Sequence, residues 1–103
     1  MLFSKAKYRA KKRQMSFTLT LQDVYDLVIK TGGICPVLGF SLKMGGGATD
    51  GLRDHAPSID RHKNSEGYHK NNCFVISLMA NRLKSNASAE QLKRVAEYAE
   101  RGI

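Results

Sequence analysis

Residues 57–84 constrain the fold more than any other part of the chain, because their pattern predicts a strand, a loop, a second strand and a helix in that order. Residues 57–62 and 73–76 are short and β-prone, and a mostly polar loop over residues 63–72 separates them. Two such segments predict a β-hairpin. Residues 77–84 contain no helix breaker and follow without a linker, so the hairpin is predicted to run directly into a helix.

Two amphipathic segments flank this unit. Residues 20–30 begin at a potential N-cap, Thr20, and stop at Gly32-Gly33, and residues 88–100 begin with a capping-box pattern at Ser88. Both patterns predict helices. The apolar positions that share one face are Leu21, Val24, Leu27 and Val28 in the first segment and Leu92, Val95, Ala96 and Ala99 in the second.

The remaining segments predict turns and loops. Residues 34–42 indicate a tight turn between short extended pieces, and a glycine-rich loop is predicted from Gly45 to Ala56. With 103 residues, of which 42% are hydrophobic and 25% charged, the chain has the composition of one folded globular domain. We therefore predict a small α+β protein.

The basic residues are concentrated at the N-terminus. The formal net charge is +8, and six of the 17 Lys and Arg residues precede the first acidic residue, Asp23. We divide the chain into a basic N-terminal arm, residues 1–15, and a folded domain, residues 16–103, and expect removal of the arm to take little apolar surface. The basic residues of the arm are Lys5, Lys7, Arg9, Lys11, Lys12 and Arg13.

This excess of positive charge predicts an anionic partner. The residues between the charges lack the large apolar face of a helix that lies on a membrane, so nucleic acid is favoured over a membrane, and a solvated tail is the other interpretation. The start of the chain places its charges after a very short apolar patch, unlike a secretion signal, and no stretch approaches the ~20 apolar residues of a membrane span. The sequence thus predicts a cytoplasmic protein.

Several short motifs occur in a fixed order: Cys35-Pro36-Val37-Leu38-Gly39, Ser58-Ile59-Asp60-Arg61, Gly67-Tyr68, Asn72, Val75-Ile76-Ser77 and Ala80-Asn81-Arg82-Leu83-Lys84-Ser85. Together they resemble the small phage-type HNH endonucleases of the ββα-metal class, over about residues 16–100. The resemblance implies a ββα-metal (HNH) core of hairpin plus helix with flanking N- and C-terminal helices. It also implies a metal-dependent DNA endonuclease or nickase, which would act in the host cytoplasm if a phage encodes it.

Hydrolysis of a phosphodiester needs a Lewis acid for the developing charge and a base to activate water. The resemblance implies that Asp60 and Asn81 hold the metal ion and that Asn72 braces the hairpin loop through hydrogen bonds to backbone. Oxygen ligands suit Mg²⁺ or Mn²⁺. Arg82 and Lys84 flank the second ligand and are predicted to hold the DNA backbone.

The chain departs from the family after Asp60. Most HNH enzymes have a His there as general base, whereas Arg61 stays protonated and would stabilise phosphate charge. On an ideal strand His62 shares the face of Asp60, which makes it either the base or a residue at the loop edge. A competing assignment places the first ligand at Asp54, followed by His55, although the neighbours of this pair are not β-prone.

The Cys35–Gly39 segment resembles a zinc knuckle, but Leu38 stands where a second Cys would be. We therefore expect no structural zinc and predict that Cys35 and Cys73 are reduced, small buried hydrophobes. Apolar packing would replace the metal. The predicted contributors to that packing are Ile34, Val37, Leu38, Phe40, Leu42, Phe74, Ile76 and Leu83, with Leu78 and Met79 as further core candidates.

Two other functions stay open on the sequence. Because the usual His beside Asp60 is missing, the chain could be a catalytically weak or inactive HNH-like module that binds DNA. An RNA-binding protein is a third interpretation, since both polymers present phosphates to basic residues.

Overall fold

The computed structural model describes residues 2–43 and 53–102, which form four α-helices and one two-stranded antiparallel sheet. The elements are α1 (Leu2–Lys12), α2 (Leu21–Lys30), β1 (Pro57–Arg61), β2 (Cys73–Ser77), α3 (Leu78–Lys84) and α4 (Ala89–Glu100). The predicted α+β class is confirmed. Residues 45–52 of the predicted glycine-rich loop lie outside the described residues. Within the described ranges, no helix has both the length and the apolar character that a membrane span needs.

The predicted hairpin and its direct continuation into a helix are confirmed. In the sheet, Ile59 lies opposite Val75, and both side chains are buried. Ser77 ends β2 and is also the N-cap of α3, because its hydroxyl accepts a hydrogen bond from the Ala80 N–H at 3.0 Å. One residue thus closes the strand and starts the helix, which leaves no linker between them.

Helices α2 and α4 begin as predicted. At α2 the Thr20 hydroxyl accepts from the Asp23 N–H, and the Asp23 carboxylate accepts from the Thr20 N–H, both at 3.0 Å. Ser88 and Gln91 form the same reciprocal pair at α4. These capping boxes satisfy backbone N–H groups that have no partner inside the helix.

The basic N-terminal segment is a helix that packs on the rest of the molecule. Ala6 and Ala10 of α1 are buried in the same core as the sheet, and Leu2 and Phe3 pack against that core. The ring of Phe3 meets Phe17 edge-to-face, with centroids 5.5 Å apart. The expectation that removing the arm would take little apolar surface is therefore wrong.

The hairpin loop is fixed by the segment that follows α1. Tyr68 is buried; its N–H donates to the Ser16 carbonyl at 2.9 Å, and its carbonyl accepts from the Thr18 N–H at 2.8 Å. A Cβ at Gly67 would lie 2.6 Å from the Ser16 carbonyl oxygen. Glycine is therefore required there by the close approach of two backbones.

The core contains only part of the predicted set. Leu42 and Ile76 are buried, Phe40 packs against the core, and Cys35 and Cys73 are buried free thiols, as predicted. The prediction is wrong for five residues that are each at least two fifths exposed: Ile34, Val37, Leu38, Phe74 and Leu83. The turn at 34–42 lies on the surface; Cys35 and Leu42 are buried, Phe40 packs against the core, and the other apolar side chains stay exposed.

Helix α4 is well formed but contributes no buried residue. Val95 and Tyr98 are more than half exposed, and Leu92 is only partly covered. The amphipathic pattern therefore predicted the helix correctly without predicting burial of its apolar face.

Candidate active site

A cleft of about 620 Å³ lies beside β1, where α1 and α3 both approach the sheet. Its wall brings together the two predicted metal ligands, Asp60 and Asn81, and four arginines from three parts of the chain. The described residues of the wall are Arg9, Arg13, Ser58, Ile59, Asp60, Arg61, Asn64, Tyr68, Leu78, Asn81, Arg82, Ser85 and Asn86.

Asp60 is the penultimate residue of β1, and its side chain is only 13% exposed. The ammonium group of Lys84, the last residue of α3, lies 2.9 Å from each carboxylate oxygen. It also donates to the Arg61 carbonyl at 3.1 Å. In the protein without DNA the charged group of Lys84 is therefore engaged by Asp60, and its contact with the DNA backbone stays a prediction.

Asn81 lies on the same side of α3 as Lys84, one turn earlier. Its amide nitrogen donates to the Ser58 hydroxyl at 2.8 Å and to the Ile59 carbonyl at 3.3 Å. These contacts with β1 use the N–H donors of the side-chain amide. Among the described residues, no hydrogen bond engages the oxygen of that side-chain amide. That oxygen is therefore the group Asn81 can offer to the cleft.

The donors at this position suit a hard divalent cation. Asp60 supplies a carboxylate and Asn81 an amide oxygen, and Mg²⁺ or Mn²⁺ takes such ligands while keeping several water molecules. In residues 2–43 and 53–102 there is no cluster of three or more Cys, His, Asp or Glu side chains that could hold a metal ion.

Asn72 is buried and ties together the two ends of the hairpin loop. Its amide nitrogen donates to the Lys63 carbonyl at 3.1 Å and to the Gly67 carbonyl at 3.0 Å, while its oxygen accepts from the Lys63 N–H at 2.8 Å. These are backbone hydrogen bonds of the kind the family resemblance implies for this residue. They fix the position at which β1 ends, directly beyond Asp60.

Arg61 is also committed to the loop. One of its terminal nitrogens donates to the carbonyls of Asn64, at 2.6 Å, and Glu66, at 3.0 Å. The guanidinium carbon lies 5.3 Å from the centroid of the buried Tyr68 ring. Arg61 still lines the cleft, so it both braces the loop and places positive charge beside Asp60.

The histidine candidates lie outside the described wall of the cleft. His62 is exposed and meets the ring of Phe74 edge-on at 6.0 Å. Phe74 is the cross-strand partner of Asp60. Because β1 ends at Arg61, the alternation of side chains along a strand does not put His62 on the face of Asp60. His55 stacks on Phe40 with centroids 4.1 Å apart.

The competing assignment at Asp54 and His55 is not placed on a strand. Both residues belong to a short 3-10 turn, Arg53–His55, that precedes β1. An oxygen of Asp54 lies 2.6 Å from a terminal nitrogen of Arg82. Asp54 therefore partly neutralises the arginine that follows Asn81, and the strand carboxylate facing the cleft is that of Asp60.

The basic residues of the N-terminal segment separate into two groups. Arg9 and Arg13 line the cleft, four residues apart on one side of the segment. Lys7 and Lys12 instead lie over the rings of Phe3 and Tyr8, each 5.9 Å from the centroid. We expected all six basic residues to contact an anionic partner in the same way. The spacing of Leu2, Ala6 and Ala10 could have predicted a packed helix face and hence this separation.

The start of α3 rests on a buried thiol. The Cys35 sulfur lies 3.2 Å from the Ser77 hydroxyl and accepts from the N–H groups of Ser77 and Leu38 at 3.4 Å. Burial alone raises the pKa of the Cys35 thiol, but the Ser77 hydroxyl and nearby backbone N–H groups outweigh it and lower this pKa to about 7. Burial raises the pKa of Cys73 to about 11.

Comparisons of the chain with models of protein families, with curated proteins and with solved structures find no match. The chemistry of the cleft follows from its own side chains. One carboxylate and one amide oxygen can hold a cation, and the arginines of the same cleft can bind phosphate oxygens.

Proposed function

We propose that this protein is a divalent-metal-dependent DNA endonuclease or nickase of the HNH type, with β1, β2 and α3 as its ββα-metal core. The observation that carries the proposal is that Asp60 and Asn81, 21 residues apart, line one cleft together with four arginines. A cation site in a cleft that also contains guanidinium groups is suited to a phosphodiester, which carries negative charge.

Asp60 and Asn81 hold Mg²⁺ or Mn²⁺ in this proposal. When bound, the cation would polarise the phosphodiester and offset the charge that develops on the leaving oxygen. The chain itself positions the two ligands. Asn81 is held against β1 by its hydrogen bonds to Ser58 and Ile59, and Asn72 fixes the loop beyond Asp60.

The arginines bind the DNA backbone. Arg9 and Arg13 line the cleft from α1 and the residues just after it, whereas the ligands come from β1 and α3. Arg82 can also bind a DNA phosphate. Its ion pair with Asp54 is weakened by solvent, because both side chains are more than a third exposed. Phosphate contacts of this kind provide affinity without reading sequence.

The proposal assigns no side chain as general base. Among the described residues of the cleft wall there is no histidine, and Arg61 stays protonated. This feature and the contact between Lys84 and Asp60 favour the second candidate function, a catalytically weak or inactive HNH-like module that binds DNA.

Incubation of the purified protein with supercoiled plasmid separates the two candidates. Reactions contain Mg²⁺, Mn²⁺ or a chelator, and the products are resolved as supercoiled, nicked and linear forms while binding is followed by mobility shift. Nicking or linearisation that requires the metal supports the endonuclease. Binding without cleavage selects the inactive module, and a clear preference for RNA of equal length would contradict a DNA-directed function.

A further inference from the structure

We propose that Lys84 is a tethered cation that competes with the divalent metal for Asp60, so that the free protein binds the metal less tightly than its two oxygen ligands allow. This inference rests on the proposed function, because it takes Asp60 as a metal ligand. It adds a residue that sets metal affinity without being a ligand itself.

The contact between the two side chains leaves little of the carboxylate for another cation. The Lys84 nitrogen is 2.9 Å from both oxygens of Asp60, so it occupies the bisecting position in front of the carboxylate. The side chains are 29% and 13% exposed, which limits screening of the pair by solvent. A metal ion bound by Asp60 must therefore weaken or displace this ammonium contact.

The position of Lys84 allows a metal ion to displace its ammonium group from Asp60. It is the last residue of α3, and its flexible side chain is held by Asp60 and one backbone carbonyl, that of Arg61. Once displaced, the ammonium would lie at the edge of a cleft that already contains four arginines, where phosphate oxygens would be its natural partners. The neighbouring pair of Arg82 and Asp54 provides the contrast, since Arg82 lies on the same helix as Lys84 but pairs with Asp54 of the preceding 3-10 turn.

The test measures Mn²⁺ binding to the full chain in the absence of DNA. Free Mn²⁺ is quantified by electron paramagnetic resonance as the metal is titrated into wild type, Lys84→Met, Lys84→Arg and Arg82→Gln. Lys84→Met should bind Mn²⁺ about fivefold to tenfold more tightly, the range expected from losing one partly buried ion pair. Lys84→Arg, which keeps a competing cation, should stay within about twofold of wild type.

Arg82→Gln controls for net charge, because it removes one positive charge from the same cleft and leaves the Asp60 contact in place. Its affinity should change by less than about twofold. Equal gains in Arg82→Gln and Lys84→Met would overturn the inference, since general electrostatics would then explain both. Unfolding or loosening of the site would lower the affinity, so damage to the structure cannot mimic the predicted gain.

Asp60→Asn, alone and combined with Lys84→Met, shows which claim has failed. The gain should vanish in the double variant, because it depends on the carboxylate. If Asp60→Asn abolishes Mn²⁺ binding while Lys84→Met binds as wild type does, only the competition is overturned. If Asp60→Asn leaves binding unchanged, Asp60 is not a ligand, and both the inference and the proposed metal site are wrong. Absence of Mn²⁺ binding by Lys84→Met also overturns the inference.

Discussion

Helices α1 and α4 lie near the two ends of the chain and contribute unequally to the molecule. Helix α4 has a complete capping box and an acidic residue in its first turn, whereas α1 has no acidic residue in its first turn. Nevertheless, α1 buries Ala6 and Ala10 and places Arg9 at the cleft, while no residue of α4 is buried.

The difference shows that local helix signals and tertiary burial have separate causes. A capping box satisfies backbone N–H groups whether or not the helix packs on anything. Burial requires a face that fits the neighbouring surface, and the small side chains of Ala6 and Ala10 allow α1 to approach β1 closely. Val95 and Tyr98 are larger and more apolar, yet they stay exposed.

The largest expected effect is on stability, from one substitution made in both helices. Ala6→Glu places a carboxylate at a site that is 0% exposed and should lower the free energy of unfolding by about 3 kcal/mol or more. Ala96→Glu on the exposed surface of α4 should change it by less than about 0.5 kcal/mol. Urea denaturation followed by circular dichroism measures both values. Equal effects would mean that α1 is not part of the core.

The two N-cap serines extend this comparison to helix α3. Ser77→Ala removes a buried cap and should cost about 2 kcal/mol, whereas Ser88→Ala removes an exposed cap of α4 and should cost less than about 1 kcal/mol of global stability. The same denaturation experiment provides the measurement. A larger loss in Ser88→Ala than in Ser77→Ala would contradict the separation of the two regions.

Ser77 also links stability to pH through Cys35. The pKa of Cys35 is about 7 in the folded protein against 9.0 for the ordinary thiol, so the folded state binds fewer protons and stability rises with pH between these values. We expect a gain of about 1–2 kcal/mol from pH 6.5 to pH 8.5; the raised pKa of Cys73 acts in the opposite direction, chiefly above its ordinary value of 9.0. Ser77→Ala should lose most of this gain and Ser88→Ala should keep it.

Most of the fold could be predicted because its signals are local. The hairpin, the three helices after residue 20 and their caps follow from β-prone segments, periodicity and capping residues that lie next to one another in the sequence. The wrong core residues, such as Val37 and Leu83, are apolar side chains whose exposure depends on how distant elements meet. Apolarity alone does not decide burial.

The candidate site was predictable only in part. The order of motifs singled out Asp60 and Asn81, and both line the cleft. No sequence pattern indicated that Lys84 would reach Asp60, and the spacing of Leu2, Ala6 and Ala10 indicates a packed face of α1 but not the cleft that Arg9 enters, because both placements depend on the packing of helices against β1. Tertiary contacts of charged side chains are not encoded in their local spacing.

Substitutions in the two terminal helices should also differ in their effect on DNA affinity, although this difference is smaller than those in stability. The double substitution Arg9→Gln with Arg13→Gln should weaken binding about tenfold on any sequence and flatten the plot of log affinity against log salt by about one to two units. Lys93→Gln with Arg94→Gln removes the same charge from α4 and should leave both quantities nearly unchanged. Fluorescence anisotropy over a salt series tests this. Equal losses would show that net charge matters more than the cleft.

The smallest effect is expected at His62, which is exposed and meets the partly exposed ring of Phe74. Because its ring lies on Phe74 outside the described cleft wall, His62→Ala should change the single-turnover cleavage rate by less than about threefold and leave its pH dependence intact. A positioned general base would contribute about 10²–10⁴-fold. A loss of that size would place His62 in the reaction after all.

The central claim is that Asp60 and Asn81 form the metal site of a nuclease, and metal-dependent plasmid nicking by single variants tests it most directly. Asp60→Asn and Asn81→Ala should each lower the nicking rate by about 10²-fold or more while DNA affinity changes little. Asp54→Asn, which alters the carboxylate of the adjacent turn, should keep a rate close to that of wild type. Wild-type nicking by Asp60→Asn together with inactivity of Asp54→Asn would contradict the account and move the site to the competing pair.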